Sequence, residues 1–77
     1  MSLDIIISLL CEVISASENE VSGKTPLTPE YGIEPIDLAK LMIEIEKRFE
    51  VTIHDEEVHT FRTVNDVANY VDALIAE

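Results

Sequence analysis

Apolar residues recur at helical spacing in three separate stretches of this chain, and that pattern confines its 77 residues to a small helical bundle. Leu3, Ile6, Ile7, Leu10 and Ile14 form one stripe, widened by Leu9 and Val13, with Asp4 at the end where a helix dipole favours an acid. Val64, Val67, Ala68, Val71, Leu74 and Ile75 form another, opened by Thr63 and Asp66 as a Thr-x-x-Asp capping pair. The third starts at Pro35, whose fixed φ and missing N–H suit a first helical position. Glu34 before it is pushed towards an extended conformation. Asp37 falls in the first turn and Lys47 and Arg48 in the last, so a helix from Pro35 to about Phe49 is expected.

Between the first two helices, from Ser15 to Ile33, periodicity disappears, and Gly23, Pro26, Pro29 and Gly32 punctuate the stretch. Connections longer than about 12–15 residues are uncommon in compact domains. Val21, Leu27 and Tyr31 are the apolar anchors expected to strap it across the bundle. Val51-Thr52-Ile53 reads as a short extended link, and His54 to Thr60 as one turn of helix. The expectation is an all-α domain over residues 1–77, with three long helices, one short one and a long first loop.

The formal charge of −11, from 16 acids against 5 bases, excludes nucleic acid and anionic membrane surfaces as natural partners. It fits a basic patch on another protein, or serves solubility alone, and composition does not separate the two. Cys11 stands alone inside the apolar run from Ile5 to Ile14, which rules out an internal disulfide and a cysteine metal site. That run carries Asp4 and Glu12, lacks a basic leader and is too short to span a bilayer, so a cytoplasmic monomer is expected.

On a wheel at about 100° per residue, Leu38, Leu41, Met42, Ile45 and Phe49 share the core side of the Pro35 helix. Ile36, Ala39 and Ile43 fall elsewhere, flanked by Lys40, Glu46 and Lys47. Either a neighbouring loop covers them, or they form an apolar patch ringed by charge of the kind that docks partners. The run His54-Asp55-Glu56-Glu57-Val58-His59 matches no recurrent zinc or calcium spacing and reads as a solvated acidic turn. No catalytic constellation is present in the sequence pattern; Cys11 lies on an apolar face with nothing near it in sequence to activate it.

The stretch from Tyr31-Gly32-Ile33-Glu34-Pro35-Ile36-Asp37-Leu38 to Glu46-Lys47-Arg48-Phe49 resembles the second helix of acyl carrier proteins, whose pattern is Leu-Gly-x-Asp-Ser-Leu-Asp followed by a Glu-rich end with Phe. Val51-Thr52-Ile53, Asp55-Glu56-Glu57 and Thr63-Val64 are similar to the family's link, short third helix and fourth-helix start. The resemblance implies an acyl-carrier-protein-like four-helix bundle. It also implies that Ile36, Ala39 and Ile43 are partner-facing, with Glu34 and Asp37 as acidic contacts and Lys40 within the same surface.

One departure shapes the functional expectation. The family's serine carries 4′-phosphopantetheine, and Glu34-Pro35-Ile36 occupies the place of Asp-Ser-Leu. Proline has no hydroxyl to esterify, and Gly32 and Phe49 fix the alignment from both ends. Ser2-Leu3-Asp4 mimics part of the motif on the wrong helix. The expected role is therefore a non-enzymatic interaction module with no cofactor and no metal, docking on a biosynthetic enzyme of a lipid, polyketide or peptide pathway through that enzyme's basic surface. The alternative is a genuine acyl or aminoacyl carrier in which Pro35 is a variant or attachment is of another kind. With Glu34 counted, the second helix holds four acids and three bases, because Lys40, Lys47 and Arg48 stand where the family is commonly acidic.

Overall fold

The computed structural model describes residues 2–76 and is all-α. Helix α1 spans Leu3–Ile14, α2 Pro35–Phe49, α3 Asp55–Val58 and α4 Val64–Ala76. The three long helices bury one stripe each: Ile6, Leu10 and Cys11 from α1, Leu41, Met42 and Ile45 from α2, and Val64, Val67, Ala68 and Val71 from α4. Helix α1 packs on both α2 and α4, so it is the centre of the bundle. Leu38 and Phe49, expected in the core, are half-buried and pack against it.

Two helices end on left-handed residues that are not glycine, Ser15 (φ 57°) and Glu50 (φ 55°). The turn back lets Ala16 N–H reach the Cys11 carbonyl at 3.0 Å and Val51 N–H reach the Glu46 carbonyl at 3.3 Å. Orphan carbonyls at both helix ends are thereby satisfied.

The long loop is ordered by two single-turn 3₁₀ helices, Glu18–Glu20 and Pro29–Tyr31. It also caps α4. Val64 N–H donates to the Thr25 carbonyl (3.1 Å), Asn65 N–H donates to the Gly23 carbonyl (2.7 Å), and Leu27 N–H donates back to the Arg62 carbonyl (2.9 Å). The first amides of a helix have no partner within it, and here the loop backbone provides two of them. The Thr63–Asp66 pair provides the rest of the cap: the Asp66 carboxylate accepts from the N–H groups of Arg62 (2.9 Å) and Thr63 (3.1 Å).

Two apolar expectations are corrected. Val21 and Leu27 are buried as expected, but Tyr31 is 62% exposed, and Ile33 takes the anchoring role at 1%. The reason is local. Pro29–Tyr31 closes a 3₁₀ turn and Gly32 reverses the chain at φ 80°, which points the next residue, not the tyrosine, into the bundle. At the other end, Ile75 belongs to the α4 stripe by spacing yet is 49% exposed, since it lies in the last turn, beyond the buried residues of α4.

Candidate functional site: the outer face of the second helix

The α2 entrance is built from Glu34, Pro35 and Asp37. Glu34 is extended (φ −84°, ψ 161°), Pro35 takes the first helical position, and both are exposed. The Asp37 carboxylate accepts the Glu34 N–H at 2.9 Å, which closes the helix start from within. No Ser, Thr or Tyr occurs between Gly32 and Val51. The other hydroxyl with part of the motif around it, Ser2, is 1% exposed and donates to the Ala68 carbonyl at 3.2 Å, while its N–H donates to Asp72 at 2.9 Å. It is a packing residue.

Along the helix from that entrance, Ile36 is 65% and Ile43 50% exposed, and Ala39 and Lys40 are also exposed. No loop covers them. Ile43 forms a ridge between two grooves. The groove towards α1, about 390 Å³, is lined by Leu9, Glu12, Val13, Lys40 and Glu44 besides Ile43. The groove towards α3, about 630 Å³, runs from Pro35 past Leu38, Ala39 and Met42 to Ile53, Val58 and Phe61, with Glu46, Asp55 and His59 at its edge. The half-burial of Leu9 and Val13, which widened the α1 stripe, is explained by the first groove.

The α3 side of this site is not apparent from sequence. Val58 lies within the acidic run His54 to His59 that reads as solvated, and Phe61 just beyond it, yet both are half-buried and pack on the core. Phe61 meets Tyr70 of α4 edge-on, with ring centroids 5.3 Å apart at 62°. Two bulky apolar residues in and just after a charged run are the one signal the sequence offers. Glu46, a flanking charge by its place on the wheel, has a structural role as well, because its carboxylate accepts the Ile53 N–H at 2.8 Å.

Of the run His54 to His59, Asp55 and His59 reach the edge of the α3-side groove. His54 and His59 are exposed, and no group of three or more metal-capable side chains occurs among the described residues. Cys11 is buried; burial raises its thiol pKa, and the charges of Glu18 and Glu20 raise it further, so it is held as an unreactive thiol. No helix among the described residues is long and apolar enough to cross a membrane.

Comparison with known proteins adds to this geometry. A family model described as "Phosphopantetheine attachment site" matches residues 4–71. The chain is 33% identical to the acyl carrier protein of Phytoplasma australiense, over 99% of this chain and 100% of that one. It is 28% identical to the acyl carrier protein of Campylobacter fetus subsp. fetus over 92% of each chain. It is 29% identical to that of Helicobacter hepaticus over 86% of this chain and 87% of the other.

Proposed function

The chain belongs to the acyl carrier protein family, and on that premise we propose that it is a member that has lost the attachment serine and works as a non-catalytic interaction module. The observation that carries this reading is Pro35 at the first position of α2, at the head of an exposed apolar ridge. The residues present do not fit covalently held phosphopantetheine. Pro35 offers no oxygen to esterify, and no hydroxyl residue lies between Gly32 and Val51. What persists is the docking surface: Glu34, Ile36, Asp37, Ala39, Lys40 and Ile43. The exposure of two isoleucines beside apolar grooves supports contact with a partner, because an isolated bundle gains nothing from them.

In this reading the whole chain is one cytoplasmic domain whose partner is a biosynthetic enzyme of a lipid, polyketide or peptide pathway. The acids Glu46 and Asp55 at the edge of the α3-side groove favour a basic surface on that partner. Incubation with coenzyme A and a broad-specificity phosphopantetheinyl transferase, followed by intact-mass measurement, tests the reading. The expected mass is unchanged; a stoichiometric phosphopantetheine adduct would restore the carrier reading.

A further inference from the structure

We draw no further inference here: the strongest candidate, the groove between α1 and α2 lined by Leu9, Val13 and Ile43, mixes the acids Glu12 and Glu44 with the base Lys40, and nothing in the structure shows what covers it.

Discussion

The Glu46 carboxylate accepts the backbone N–H of Ile53 at 2.8 Å, tying the last turn of α2 to the link that leads into α3. Helix α3 has four residues, none of them buried, so it has little packing of its own to hold it. This bond, together with buried Ile53 and half-buried Val58 and Phe61, fixes the far wall of the α3-side groove.

Glu46→Ala should therefore cost about 1.5–3 kcal/mol, the range for a lost hydrogen bond to a charged acceptor. In a domain of this size each kcal/mol lowers the melting temperature by about 4–8 °C. Hydrogen exchange distinguishes this account from general weakening. Protection should fall first in residues 51–61 and stay intact in α1 and α4; a uniform fall would remove the specific role given to Glu46.

Ser15 and Glu50 hold left-handed backbone at the ends of α1 and α2. A side chain there is strained by about 1 kcal/mol or more, of which glycine returns part as a more flexible unfolded chain. Ser15→Gly and Glu50→Gly should each stabilise by about 0.5–1 kcal/mol, read as a higher midpoint in urea at constant slope. Gly32→Ala, at φ 80°, should move the midpoint the other way, although a Cβ there meets no atom within 4 Å. Opposite signs at the three positions come from backbone conformation alone.

Hydrogen bonds from the Arg62 N–H, then the Thr63 N–H, hold the Asp66 carboxyl below the ordinary carboxylate range. A carboxyl with a depressed folded pKa contributes stability above its unfolded value of about 3.9, and loses it as the pH falls through the folded value. Asp66→Asn should lower the melting temperature at neutral pH. The gap to wild type should shrink steadily below about pH 4. A gap that is constant across that range would mean the carboxylate charge contributes nothing to the cap.

Three helices and their buried stripes were legible in the sequence because periodic burial and end signals agree there, as at Pro35, Asp37 and the Thr63–Asp66 pair. The loop was only half legible. Apolar character marks Val21, Leu27, Tyr31 and Ile33 alike, but the reversal at Gly32 decides which of the last two turns inward, and that is a three-dimensional consequence of one φ angle. The cap on α4 by the carbonyls of Gly23 and Thr25 was illegible for a different reason: backbone acceptors carry no side-chain signature. On the candidate site, wheel geometry found Ile36, Ala39 and Ile43. It missed Val58 and Phe61, whose burial depends on where a four-residue helix lands.

Ile43 and Ile45 are two residues apart on α2, at 50% and 0% exposure. If α2 is a docking face, their substitutions should separate cleanly. Ile43→Asp should change stability by no more than about 0.5 kcal/mol while abolishing contact through this face. Ile45→Ala should cost about 2–5 kcal/mol through the cavity it leaves. Thermal melts measure both changes in stability. A large loss of stability in Ile43→Asp would make the residue part of the packing and take the ridge away from the docking surface.

Pro35→Ser is the most informative single substitution for the functional reading. Serine lacks the fixed φ of proline, so a small loss of stability, within about 1 kcal/mol, is expected from the gain in unfolded-state freedom. The Glu34 N–H keeps its bond to Asp37, because that bond involves neither atom of the exchanged side chain. The helix start should therefore persist with a hydroxyl added on an exposed position. With coenzyme A and a broad-specificity transferase, the variant should gain the phosphopantetheine mass that the wild-type chain does not. A folded variant that stays unmodified would mean that more than the missing nucleophile keeps this chain from being loaded.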